Sequence, residues 1–156
     1  MTTPDLQALR AWLEEPVAIQ LATTGVGLAP HSVRCFGVRL DDDDTLRVGV
    51  VDAQAEALLE ALRKSRTLAV NLTHPTTFYG RQLKGPLVEI EEPSAAAAQA
   101  AREYFARFVV LVAKLGLTPE QCRGMFRTGP TRWVRLRPEQ MFNQTPGVGA
   151  GAVVSA

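Results

Sequence analysis

Apolar and polar residues alternate along this chain in short bursts that change period at clear punctuation. Leu6, Leu9 and Leu13 repeat at helical spacing. Thr3-Pro4-Asp5 ahead of them predicts a helix with Thr3 as N-cap, Pro4 in the first position and Asp5 in the first turn, stopped by Pro16. Residues 17–23 then read as a strand, Gly25-Val26-Gly27 as a turn, and 29–40 as a second strand. Asp41 to Asp44 make an exposed acidic turn before a third strand over 46–51. A helix follows over 55–64 with Leu58, Leu59 and Leu62 as its stripe and Asp52 as candidate cap. Residues 67–72 and 78–90 are β-rich runs separated by a turn at His74-Pro75. Ser94 opens a long helix along which Tyr104, Phe105, Phe108, Leu111, Val112 and Leu115 form one side, and Gly116 stops it. A short helix that starts at Thr118-Pro119-Glu120-Gln121 and ends near 124–126, a strand over 133–136 and a break at Arg137-Pro138 complete the pattern.

Six strands with short turns, and helices too few and too uneven for a doubly wound parallel sheet, predict an antiparallel barrel with peripheral helices. A barrel this small has little spare interior, so a large ligand would lie on its outside or between two copies. The stretch 66–92 is its centre. Within it, period-2 geometry sends Gln82 and Lys84 to one face, and Arg81 and Leu83 to the other. Gly80 and Gly85 bracket these residues, and each would let another backbone or a flat ligand come close.

Composition narrows the function. The 156 residues suit one domain, and a hydrophobic fraction of 46% supports a real core. A net charge of +1 gives no field for nucleic acid or a membrane surface. No apolar run approaches the ~20 residues of a membrane span, and the acidic N-terminus lacks a signal sequence, so a cytoplasmic protein is expected. Cys35 and Cys122 form no CxxC pair, and with only His31 and His74 a histidine metal cluster is not expected. The aspartates at 41–44 lack the spacing and distal Glu of a calcium loop. Cys35, in an apolar strand with no neighbouring histidine, reads as a structural thiol. Arg34 is either an ordinary solvent-facing arginine or, with Arg81 and Lys84, part of a cationic site for a phosphate.

Three segments carry a family likeness: VAIQLATTGVGLAPHSVRCFGV, LRVGVVDAQAEALLEALRKSRTLAVNL and, above all, FYGRQLKG. In their order they resemble the pyridoxamine 5'-phosphate oxidase-like, FMN-binding split-barrel superfamily, from Pro16 to about Gln144. The resemblance implies a mainly β (α+β) fold, a six-stranded antiparallel split barrel with peripheral helices over 1–144, and a Gly-rich tail over 145–156. It implies an FMN-dependent oxidoreductase acting as a homodimer on a small-molecule substrate, with haem or a deazaflavin as the other cofactors of such proteins. The family's flavin-contacting glutamine falls on Gln82, its strand-two arginine on Arg34, and its strand-three end on Val50 and Val51. RWVRLRPEQMFNQTPG resembles the segment that brings Asn143 and Gln144 to the site, and Arg81 and Lys84 flank Gln82. Small residues such as Gly37 and Gly49 would suit a flat ring. The chain departs from the family at Gln54-Ala55-Glu56-Ala57, where the oxidases hold the phosphate with an Arg-Lys pair, and at Asn143, where they carry an aromatic residue. It also lacks their pyridoxal phosphate-binding residues, so a vitamin B6 oxidase is not expected. Two other readings stand beside this one. One is a haem-binding or haem-degrading barrel, with His74 as the more exposed candidate ligand. The other is a non-catalytic split barrel that binds partners.

Overall fold

The computed structural model describes residues 4–154. Helix α1 (Gln7–Trp12) starts later than expected: Asp5 lies ahead of it and accepts a hydrogen bond from the Gln7 N–H at 3.0 Å. The expected cap, Thr3, lies outside the described residues. The strands that follow are β1 (Ala18–Thr24), β2 (Pro30–Cys35), β3 (Val38–Leu40) and β4 (Leu46–Val51). Helix α2 (Asp52–Ser65) leads to β5 (Thr67–Thr73) and β6 (Gly80–Ile90). Helices α3 (Ala95–Ala113) and α4 (Pro119–Arg123) precede β7 (Thr131–Leu136) and β8 (Gln140–Asn143).

The eight strands form one antiparallel sheet in the order β2-β1-β5-β6-β7-β4-β3, with β8 also on β6. Strand β6 makes the sheet split. Its residues 80–86 pair with β5, and 81–84 also pair with β8 on the opposite edge. Beyond Pro86, which has no N–H for a ladder, a bulge between Leu87 and Glu89 bends the strand over to β7. Ile19, Leu21, Val70, Leu72 and Leu83 from one half, and Val48, Val50, Val134 and Leu136 from the other, meet in a single core. Helix α2 adds Leu58, Leu59 and Leu62 to it.

Two more strands are present than the pattern predicts. The run 29–40 breaks at Phe36-Gly37, where Gly37 takes φ +100° and the chain leaves β1 to pair with β4. A left-handed residue there lets one apolar run serve two strands. Strand β8 has only four residues, directly behind the Arg137-Pro138 break.

Asp52 does not cap α2. It is the first helical residue, and its carboxylate takes a two-pronged hydrogen bond from Arg132 on β7, with Nε and Nη2 each at 2.6 Å. Ser94 does cap α3, accepting from the Ala97 N–H, and Thr118 caps α4 in a capping box. Much of the apolar side of α3 packs within the chain: Tyr104, Phe108 and Val112 are buried while Leu115, just past the helix end, is exposed, and the Tyr104 hydroxyl donates to the Val17 carbonyl. Phe36 meets Phe105 and Phe126 edge-on, at 6.2 and 4.8 Å between centroids. In the acidic turn, Asp41 pairs with Arg47 at 2.6 Å and Asp43 with Arg135 at 3.3 Å. Among the described residues, no group of three or more His, Cys, Asp or Glu could hold a metal ion. No described helix is long and apolar enough to cross a membrane.

Candidate functional site

The outward side of β2-β1-β5-β6-β8 is set by cross-strand register. One row runs Ser32, Ala22, Ala69, Lys84, Gln140, and the next runs Arg34, Gln20, Asn71, Gln82, Phe142. Over the first row lies an open groove of about 520 Å³. Ala22 and Ala69 lie along its floor, Pro30 and Pro86 are among its apolar walls, and Lys84, Glu139 and Gln140 mark one rim. The Lys84 Nζ sits 4.7 Å from the centre of the Phe142 ring. Among the described residues Lys84 makes no ion pair, so its charge is available to a ligand.

The residues expected at a site divide between two faces. Gln82, Lys84 and Gln144 share the outward face, as period-2 geometry required: Gln144 bonds through its N–H to the Gly80 carbonyl at 2.9 Å, two residues from Gln82. Lys84 lines the groove, and Gln82 lies one row away. Arg34 is on the same side but three strands from Gln82, roughly 14 Å at the usual ~4.8 Å spacing. Its guanidinium lies 4.7 Å from the Phe108 ring centre, and its buried Nη2 has no hydrogen-bond partner among the described residues. Arg81 and Asn143 take the opposite face and bond each other, Nη1 to Oδ1 at 2.7 Å, while Arg81 stacks 4.2 Å from the Tyr79 ring centre. The cationic trio of Arg34, Arg81 and Lys84 therefore does not converge. Val50 and Val51 are fully buried in the core, so neither side chain is open to a ligand.

The glycines serve backbone, not ligand. A Cβ on Gly85 would lie 1.9 Å from the Arg137 carbonyl oxygen, and one on Gly80 3.1 Å from Gln144. These close approaches seat β8 and its lead-in on β6. Gly37 and Gly49 are buried too: a Cβ on Gly49 would lie 2.2 Å from the Phe36 oxygen, and Trp133 fills the space beside Gly37. No flat ring can lie there.

His74 is not an exposed ligand candidate. It is buried, its Nε2 lies 2.8 Å from the Glu15 carboxylate, and its Nδ1 accepts from the Thr76 and Thr77 N–H groups at 3.3 Å. It clamps the turn before β6. Burial pushes the Cys35 thiol up to about 12, which leaves no thiolate near neutral pH. Sequence reasoning missed Pro30, Ala22, Ala69, Glu139 and Gln140 as lining. The signal was the alternation of Gln140, Met141, Phe142 and Asn143, which marks a strand with Gln140 and Phe142 outward.

Among solved structures, a pyridoxamine 5'-phosphate oxidase-related, FMN-binding protein from Nostoc punctiforme superposes with a TM-score of 0.54 at 15% identity, over 96% of this chain and 89% of that one. An F420 reductase gives 0.51 at 14% identity, over 85% and 94%. HutZ, the haem storage protein of Vibrio cholerae, gives 0.51 at 15% identity, over 87% and 92%. The chain has the split-barrel fold of the pyridoxamine 5'-phosphate oxidase-like proteins. No protein-family model and no curated protein matches it.

A flat cofactor with an anionic tail would find only its flat half accommodated on this chain. The groove fits the flat part, with two alanines on its floor and an ammonium on its rim. The start of α2 does not fit a phosphate. Ala55 is buried, Gln54 bonds the Met125 carbonyl at 3.4 Å, and in the neighbouring cleft Asp52 engages Arg132 while Glu56 adds a second carboxylate.

Proposed function

We propose that this split barrel is an FMN-binding oxidoreductase that works as a homodimer on a small molecule. The observation that carries the reading is the groove over Ala22 and Ala69, with Lys84, free of ion pairs among the described residues, at its rim. Small side chains at the floor let a planar ring lie against the sheet, and the apolar walls favour its transfer from water. The Lys84 ammonium would lie at the edge of the bound ring, and Gln82 and Gln140 would offer amide donors and acceptors beside it. When bound, the cofactor supplies hydride and electron transfer, and the protein supplies placement and field. A cation at the ring's edge favours whichever redox state carries more negative charge, which raises the potential. The groove is open on its outer side, so a second protomer would supply the missing wall.

The visible spectrum of freshly purified protein, followed through gel filtration, tests this. A flavin band travelling with a dimer-sized peak supports it, whereas a Soret band points to haem, and colourless protein unstabilised by added flavin defeats the reading. In reconstituted protein, Lys84→Ala and Gln82→Ala should each weaken flavin binding by about tenfold with an unchanged melting temperature, because neither side chain enters the core. Wild-type affinity in both variants would remove that face as the site.

A further inference from the structure

We propose that the cleft between α1, β3 and α3 is a second ligand site, one that takes a small phosphate monoester. The cleft measures about 350 Å³ and is lined by Arg10, Leu13, Glu14, Arg39 and Arg107 among others. It shares no lining residue with the Lys84 groove.

Three guanidinium groups reach it from three separate elements. Arg39, on β3, lies with its guanidinium carbon 5.5 Å from the Trp133 ring centre, which leaves the in-plane N–H donors outward. Arg107, on α3, donates one N–H from Nη1 to the Glu14 carbonyl at 3.0 Å, and the rest of its fork is unengaged among the described residues. Neither Arg39 nor Arg107 makes an ion pair among the described residues. Arg10 is anchored by two backbone carbonyls, Leu40 at 3.1 Å and Asp41 at 3.2 Å, and its nearest carboxylate is the fully exposed Asp42 at 3.9 Å.

The acids near the cleft are mostly engaged elsewhere. Asp41 pairs with Arg47, Glu15 with His74, and Glu103 accepts from Gln99. Two acidic residues line the cleft, Asp41, which Arg47 engages, and Glu14, which makes no ion pair among the described residues. The cleft therefore holds excess positive charge on planar forks, a geometry that matches the oxygens of a phosphate dianion. Leu13, Val38 and Leu40 give the organic part of the ester an apolar wall.

Isothermal titration of the intact chain with inorganic phosphate and with glycerol 3-phosphate tests this, against sodium chloride at equal ionic strength. Saturable binding is expected, tighter for the ester, and weakened about tenfold in Arg39→Ala and in Arg107→Ala. Both arginines are exposed, so the far-ultraviolet circular dichroism of the variants should match the wild type. Glu14→Gln should tighten binding, a sign that requires the carboxylate to oppose the ligand and that removes no arginine. Heats no larger than those of sodium chloride, wild-type affinity in the Arg39→Ala/Arg107→Ala double variant, or weaker binding in Glu14→Gln would each overturn the site. Equal affinity for phosphate and ester would overturn the ester assignment.

Discussion

Gly85→Ala puts the seating of β8 to a direct test. The new Cβ would stand 1.9 Å from the Arg137 carbonyl oxygen, 3.0 Å from its carbon and 3.2 Å from the Glu139 nitrogen. Carbon–oxygen contacts run near 3.3 Å at closest, so the 137–139 backbone must retreat by about 1.4 Å. Two hydrogen bonds tie that backbone to β6, Arg137 N–H to Pro86 O at 3.1 Å and Glu139 N–H to Lys84 O at 2.9 Å. Losing both costs about 1 kcal/mol each, and the overpacking adds about 2 kcal/mol. The expected total is about 4 kcal/mol, which in a chain of this length lowers the melting temperature by about 8–16 °C. Thermal and urea unfolding followed by circular dichroism measure it. The paired control is Gly124→Ala, at a helical φ of −63° with its nearest neighbour at 3.5 Å, where a Cβ meets ordinary contact and stability should hold or rise slightly. A Gly85→Ala protein that melts with the wild type would refute the close approach, and with it the rim that Glu139 and Gln140 give the groove.

Leu83→Ala should cost about 2–5 kcal/mol in urea unfolding, because Leu83 is fully buried opposite Val70 and Met141. Its neighbour on the other face, Lys84→Ala, should leave the midpoint unchanged; equal losses at both positions would contradict the alternation. Native Cys35 should resist a thiol-specific reagent at pH 8 and react fully in denaturant. Its folded value is raised from 9.0 to about 12 by burial, so the unfolded chain releases the proton first. Stability should therefore be intact below about pH 9 and fall as pH rises toward 12. A flat alkaline limb in a series of urea midpoints would count against a buried thiol. Burial raises the Tyr104 hydroxyl as well, which steepens the same limb at its upper end.

How far the sequence reached depended on which interactions are local. Ser94 caps its helix as read, because a cap is decided within a few residues. The faces of Gln82, Leu83 and Lys84 followed from strand geometry alone, and the register confirms them. Asp52 misled for the opposite reason. It has the local look of a cap, yet Arg132, eighty positions away, claims its carboxylate. Gly80 and Gly85 were equally legible as places of close approach, but only the fold could say that the visitor is the chain itself. The same limit kept the groove hidden: its floor of alanines has no chemical signature until two neighbouring strands place those residues side by side.

The last described residues return along β8: the Asn143 N–H reaches the Ala152 carbonyl at 2.9 Å, the Val154 N–H reaches the Met141 carbonyl at 2.8 Å, and Val153 bridges Phe142. That doubling-back works as a seal. Without it, β8 would present a bare row of amide and carbonyl groups, the kind of template on which a foreign strand can grow. A label attached near Val154 would thus tug on a protective closure of the fold, whereas one inserted at the exposed Asp42 turn would disturb nothing of the kind.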